Sequence, residues 1–185
     1  MLFVSNGNLI MKNRFILFVL FLFCFSAYSV DVTLNLNGAI LGQSCNISSN
    51  DLIKNINFQE LNPGDFNNVG AVSSEKAVSI HLENCSGNVN NMMYQFSGEA
   101  DASDPTLLKI IGKSGSSMGE LATGLAIEIL NNNKDRIEIN TKKIFNETIT
   151  TTSYDFTFYL RYISTNQSVS PGDASSLLYL DIYYE

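Results

Sequence analysis

Residues 155–162 read DFTFYLRY, and every second side chain in this stretch is large and apolar. A period of two places these side chains on one face of a β-strand, because successive strand residues point to opposite faces. The same period recurs in residues 77–85 (AVSIHLENC), 125–130 (LAIEIL) and 176–185 (SLLYLDIYYE). The apolar faces of the four runs comprise Val78, Ile80 and Leu82; Leu125, Ile127 and Ile129; Phe156, Phe158, Leu160 and Tyr162; and Leu178, Leu180, Ile182 and Tyr184. The pattern predicts an all-β protein.

Turn-forming residues separate these runs. They are grouped at residues 62–65 (NPGD), 131–133 (NNN) and 171–173 (PGD). No stretch keeps a helical period over three turns, and neither an internal repeat nor a linker divides the chain. Short strands separated by turns are typical of an antiparallel β-sandwich, and we expect a single immunoglobulin-like domain.

Composition excludes several classes of function. The 185 residues are 45% hydrophobic and 16% charged, with a formal net charge of −7, which allows a packed core and weighs against nucleic-acid binding. His81 is the one histidine, and alternation places it on the outer face of its strand, in solvent. Glu99, Asp101 and Asp104 could hold calcium weakly, but an ordinary acidic loop is favoured. We expect no catalytic residues, no metal and no cofactor.

Residues 11–29 (MKNRFILFVLFLFCFSAYS) have the three parts of an export signal. Lys12 and Arg14 precede an apolar run at residues 15–25, and Ala27 and Ser29 give the small residues required for cleavage. The run is too short to cross a bilayer, which takes about 20 residues. Residues 1–29 are therefore predicted to be a signal peptide, with translation starting at Met1 or at Met11.

Two cysteines remain once the signal is removed. Cys24 leaves with the signal, whereas Cys45 and Cys85 stay in an exported chain, where such a pair is most simply a disulfide. A loop of this length would gain roughly 4 kcal/mol by restricting the unfolded chain. Two buried free thiols are the alternative, and a metal site is disfavoured because no CxxC or nearby histidine completes four ligands.

Residues 30–41 (VDVTLNLNGAIL) have the pattern of a half-buried strand at the start of the exported chain. Its inward parity comprises Val32, Leu34, Leu36, Gly38 and Ile40. The stretch is either the first strand of the sandwich or a strand that is added to the sheet of another molecule.

Five segments, in order, resemble the pilin subunits of chaperone–usher fimbriae, and the resemblance extends from Val30 to Glu185. The segments are residues 31–45 (DVTLNLNGAILGQSC), 65–85 (DFNNVGAVSSEKAVSIHLENC), 93–101 (MYQFSGEAD), 124–133 (GLAIEILNNN) and 169–185 (VSPGDASSLLYLDIYYE). The first closely resembles the N-terminal extension of minor type 1 pilins, and the last carries the glycine and penultimate tyrosine of the family.

The resemblance implies an immunoglobulin-like sandwich that lacks its last strand, with a groove beside the strand at Leu178, Leu180, Ile182 and Tyr184. A periplasmic chaperone fills this groove first, and the extension of a neighbouring subunit then replaces the chaperone. Residues 30–42 would be the donor-strand extension and residues 43–185 the pilin domain. The four apolar side chains of Val32, Leu34, Leu36 and Ile40 could contribute about 6–12 kcal/mol to the binding of this strand if they are fully buried. Gly38 would lie at a shallow place in the groove, or else form a bulge.

We therefore expect a structural subunit, with a minor or adaptor role favoured, that is exported through the periplasm to a surface fimbrium and supports adhesion. Its partners would be the pilus chaperone, the outer-membrane usher and neighbouring pilins. The alternative is a small lectin-like adhesin that binds host glycans at a fibre tip. The extension disfavours this alternative, since adhesins of the family lack one.

Overall fold

Two long strands, β2 (Lys76–Ser86) and β8 (Ser153–Ser164), pair antiparallel in the middle of the larger of two sheets. The computed structural model describes residues 42–113 and 121–184, which belong to one unit of the chain, Ile40–Glu185. The remaining strands within these residues are β1 (Ser44–Ile47), β3 (Met92–Ser97), β4 (Leu108–Lys109), β5 (Leu125–Leu130), β6 (Arg136–Ile137), β7 (Lys143–Ile144) and β9 (Tyr179–Tyr184). Two single-turn 3-10 helices lie at Ser49–Asp51 and Pro63–Asp65.

The larger sheet has the order β1-β2-β8-β5, and the far edge of β5 pairs with both β4 and β6. The smaller sheet has the order β7-β3-β9. Every pairing within the two sheets is antiparallel. The predicted all-β, antiparallel fold is confirmed.

Aromatic rings join the two sheets. Tyr94 and Phe96 on β3 point inward and contact Phe156 and Phe158 on β8, with ring centroids 5.0 Å apart for Tyr94–Phe156 and 4.7 Å apart for Phe96–Phe158. All four side chains are buried. Because such aromatic pairs combine a large buried area with a preferred geometry, they fix how one sheet lies on the other.

The alternating runs have the predicted faces. Val78, Ile80 and Leu82 of β2 are buried, and His81 between them is partly exposed on the outer face, as predicted. The last strand begins at Tyr179, one residue after the start of the alternation at Leu178.

A disulfide joins Cys45 of β1 to Cys85 of β2, with the two Cα atoms 4.0 Å apart, which confirms the predicted pairing. The bond links the beginning of the described chain to the end of β2. No helix among residues 42–113 and 121–184 is long and apolar enough to cross a membrane.

Candidate functional site

Strand β9 is incompletely covered. One of its edges pairs with β3 from Met92↔Tyr184 to Ser97↔Tyr179, while no strand of the described chain pairs with its other edge. Leu180 and Ile182 face inward and contact the core, yet both are only partly buried, whereas Met92 and Phe96 on β3 are 0% exposed. The inner face of β9 is therefore apolar without being closed.

A groove of about 1000 Å³ opens along this incompletely covered side. One wall is residues 51–61, which we call the proximal wall, and the other is residues 169–181, which we call the distal wall. The floor comes from both sheets and includes Val78, Ile80, Phe96, Ile127, Phe158 and Tyr162. A strand placed between these walls would cover the core that the two sheets leave open.

The proximal wall begins at a charged contact on β2. Asp51 accepts a hydrogen bond from the backbone N–H of His81 at 2.6 Å and forms an ion pair with Lys54 at 2.8 Å. The hydrogen bond from Lys54, together with that from His81, holds the pKa of Asp51 below its usual value. Ser48 adds a backbone hydrogen bond to the His81 carbonyl at 2.9 Å. The start of the wall is thus fixed to β2 of the larger sheet.

Both walls contain backbone groups that have no backbone partner in the described chain. Among the described residues, no backbone–backbone hydrogen bond involves residues 52–61, and β9 uses only its β3 edge. Strand edges with unpaired N–H and C=O groups favour the addition of an extended chain. The arrangement can bind a strand whose alternate side chains are apolar, through main-chain pairing and side-chain burial together.

The structure locates the sequence-predicted groove residues as follows. Leu178 and Leu180 line the groove, while Ile182 and Tyr184 lie farther along β9, where they pack against the core outside the lining. Burial raises the pKa of the Tyr184 phenol. The predicted donor-strand residues Val32, Leu34, Leu36, Gly38 and Ile40 lie outside the described residues.

Sequence reasoning missed the proximal wall. Ile56, Phe58 and Leu61 are partly buried side chains that pack against the core from this wall, and all three line the groove. Ile56 and Phe58 are two residues apart, and this short alternation is the one sequence signal that could have indicated an inward-facing segment here. The role of Tyr162 was also missed: it was assigned to the core face of β8, and it also lies in the groove floor.

The titratable residues singled out in the sequence have structural partners. His81 Nδ1 lies 2.7 Å from Asp155 Oδ1, and this hydrogen bond raises the pKa of His81. Glu99 pairs with Lys109, and Asp104 pairs with Arg136 at 2.9 Å. In the part of the chain that the structure describes, no group of His, Cys, Asp and Glu side chains could hold a metal ion.

A family model described as "Fimbrial protein" matches residues 34–185. The uncharacterized fimbrial-like protein YcbU of Escherichia coli K12 is 30% identical over 155 residues, which cover 83% of this chain and 84% of YcbU. The structure is similar to a type I fimbria protein of Burkholderia pseudomallei, with TM-score 0.56, 26% identity and coverage of 76% of this chain and 88% of the other. A chaperone–usher pilus structure has TM-score 0.58 at 18% identity, covering 86% and 99% of the two chains.

Proposed function

This chain belongs to the fimbrial protein family, and we propose that it is a subunit of a chaperone–usher pilus that enters the fibre by donor-strand exchange, as a minor or adaptor subunit. The observation that carries the proposal is the groove, which has an apolar floor, a proximal wall without backbone pairing in the described chain, and an edge of β9 that pairs with no described strand. A neighbouring subunit would complete the sandwich by inserting its own extension there.

The extension of this chain has the matching chemistry. Val32, Leu34, Leu36 and Ile40 share one parity with Gly38, while the opposite parity is polar over residues 31–37, as a strand with one face in a groove requires. The four apolar side chains would contribute on the order of 6–12 kcal/mol if fully buried, and ordering of the extension subtracts from this gain. In the proposal, this extension fills the groove of the next subunit.

Export and partners follow from the same assignment. The signal at residues 1–29 would direct the chain to the periplasm, where a pilus chaperone would protect the groove until the usher transfers the subunit to the fibre. The relatives imply an extracellular surface fimbria, and we propose that the subunit supports adhesion there as part of the fibre. We propose no catalytic role.

The test changes the extension and leaves the pilin domain, residues 43–185, unchanged. In the variant Leu34→Asp/Leu36→Asp, two carboxylates would enter an apolar groove unpaired, at a cost of several kcal/mol. The matched control is Thr33→Asp/Asn35→Asp, which adds the same charges on the opposite parity. Both variants are expressed in cells that assemble the fibre, and the subunit is measured in chaperone complexes and in purified fibres.

We expect both variants to form chaperone complexes and only the control to retain normal links to its neighbours in the fibre. Donor-strand exchange would be wrong if Leu34→Asp/Leu36→Asp failed to fold with the chaperone yet joined fibres when rescued. A mature chain that joins no fibre and binds glycans instead would support the tip-adhesin alternative.

A further inference from the structure

The two walls of the groove are held in different ways. In the distal wall, the Ser175 carbonyl accepts hydrogen bonds from the backbone N–H groups of Ile111 and Gly112, at 3.0 and 2.9 Å. Ser176 Oγ donates to the Lys109 carbonyl at 2.6 Å, and β9 then continues this wall, paired along its whole length with β3. These contacts fix the distal wall to the end of β4 in the larger sheet and to β3 in the smaller sheet.

The proximal wall has far fewer constraints. No backbone–backbone hydrogen bond is formed by residues 52–61 within the described chain. Apart from the charged contact at Asp51, the wall is held by a hydrogen bond from Lys76 Nζ to the Asn57 carbonyl and by side chains packed on the core. Segments with few backbone hydrogen bonds and partly exposed side chains open at low free energy.

Tyr162 connects the two walls across the floor. Its ring contacts Phe58 of the proximal wall edge to face, with centroids 4.7 Å apart, and its hydroxyl donates to the Ala174 carbonyl of the distal wall at 2.8 Å. Tyr162 is 7% exposed, and burial, aided by the nearby charge of Asp173, raises the pKa of its phenol. The phenol therefore stays a neutral donor at physiological pH.

We propose that Tyr162 is a positioning residue of the groove, which holds Phe58 and with it the adjustable proximal wall against an inserted strand. The proposal rests on the proposed strand-binding function. The Ala174 carbonyl fixes the Tyr162 ring, and the ring fixes the place at which the proximal wall meets the floor. A wall that is already in position loses less conformational entropy when it binds a strand. The bound strand is therefore held more tightly and is released more slowly.

The test uses the mature chain in complex with its chaperone and a labelled synthetic peptide of residues 30–42. Tyr162→Phe removes only the hydroxyl, and Phe58→Leu removes the ring contact but keeps an apolar side chain. The matched control is Tyr154→Phe, on the same strand, where the lost hydroxyl donates to Glu147 at 2.8 Å outside the groove lining. Peptide release is followed after a chase with unlabelled peptide, and thermal unfolding of the peptide-bound chain is measured in parallel.

We expect Tyr162→Phe to speed peptide release about 2- to 10-fold, the range that corresponds to one neutral hydrogen bond. Tyr154→Phe should lower the melting temperature about as much as Tyr162→Phe does, but it should leave the rate of peptide release unchanged. The double variant Tyr162→Phe/Phe58→Leu should be non-additive, since both changes act on one contact.

Equal release rates for Tyr162→Phe and Tyr154→Phe, or additive effects of Tyr162→Phe and Phe58→Leu, would overturn the positioning role while leaving strand binding intact. A wild-type complex that takes up no peptide would instead contradict the proposed function itself. The two failures are therefore distinguishable.

Discussion

Glu128 is a buried carboxylate on the outer face of the larger sheet, and its removal should destabilise the fold strongly. It is only 4% exposed, and its two oxygens accept hydrogen bonds from Arg136 Nε and Arg161 Nε, both at 2.6 Å. Arg161 is its direct cross-strand neighbour on β8, and Arg136 lies on β6 beyond the opposite edge of β5. The carboxylate thus joins three strands.

The magnitude follows from what each change leaves behind. Glu128→Gln removes the charge and leaves two partly buried guanidinium groups facing a neutral amide. Breaking one side of a buried ion pair costs about 3–5 kcal/mol, because the remaining charge is left uncompensated. The arginines are 34% and 23% exposed and keep Asp104 and Glu75 as partners, so solvent screening reduces the expected loss to about 2–3 kcal/mol.

Replacing the whole cluster should have a different result. In Glu128→Met/Arg136→Met/Arg161→Met no buried charge remains, and apolar replacements of a buried ionic cluster are often neutral or stabilising. We expect a free energy of unfolding within about 1 kcal/mol of wild type for this variant. The contrast between the single and the triple variant separates the cost of an orphaned charge from the net contribution of the cluster.

The assay is urea unfolding of a chain whose groove is filled by a copy of residues 30–42 fused after Glu185, followed by far-UV circular dichroism. Wild type and both variants are compared at equal ionic strength, and the slope with denaturant is checked for constancy. A loss below about 0.5 kcal/mol for Glu128→Gln, or a triple variant as unstable as the single one, would refute the account of a buried and mutually dependent cluster.

Three further outcomes are expected. Unfolded, unreduced mature protein should show no titratable thiol, since Cys45 and Cys85 are bonded; two titratable thiols would contradict this. Gly124→Ala should cost more than about 1 kcal/mol, because φ is +75° and the added Cβ would lie 2.4 Å from a backbone oxygen, whereas Gly42→Ala, with no atom within 4 Å, should be neutral in the same unfolding assay. His81 should titrate by NMR above its ordinary pKa of 6.5, so its contribution to stability is present below pH 6.5 and is lost as pH rises through the folded pKa; a titration midpoint at or below 6.5 would refute this.

The long strands were predictable because a half-buried strand repeats its environment every second residue. β2, β5, β8 and β9 follow that period, and their apolar faces are the ones that the structure turns inward. The two-residue strands β4, β6 and β7 carry no such signal, since they are defined by their partners rather than by their own sequence. The alternation also could not predict which strands pair with each other, because register depends on residues far apart in the chain.

Burial on the second face of β5 shows where alternation fails. The run LAIEIL places Glu128 opposite the apolar parity, which normally indicates solvent, yet all six residues are buried. Ala126 is covered by Leu107 and Ile163, and Glu128 by its two arginines. Such coverage comes from other strands and loops of the chain, so the burial of Ala126 and Glu128 cannot be predicted from the alternation within β5.

One wall of the groove could be predicted from the sequence and the other could not. β9 was visible from its alternation, but the proximal wall has no backbone ladder and hence no period to detect. In the proposed function, this asymmetry has a physical consequence. A wall that already pairs with β3 offers an inserted strand a free edge, whereas the proximal wall has no backbone pairing and loses conformational freedom when it binds the strand. Ordering that wall costs conformational entropy, so contacts such as Phe58 on Tyr162 control how firmly a donor strand is held even though neither residue is part of a strand edge.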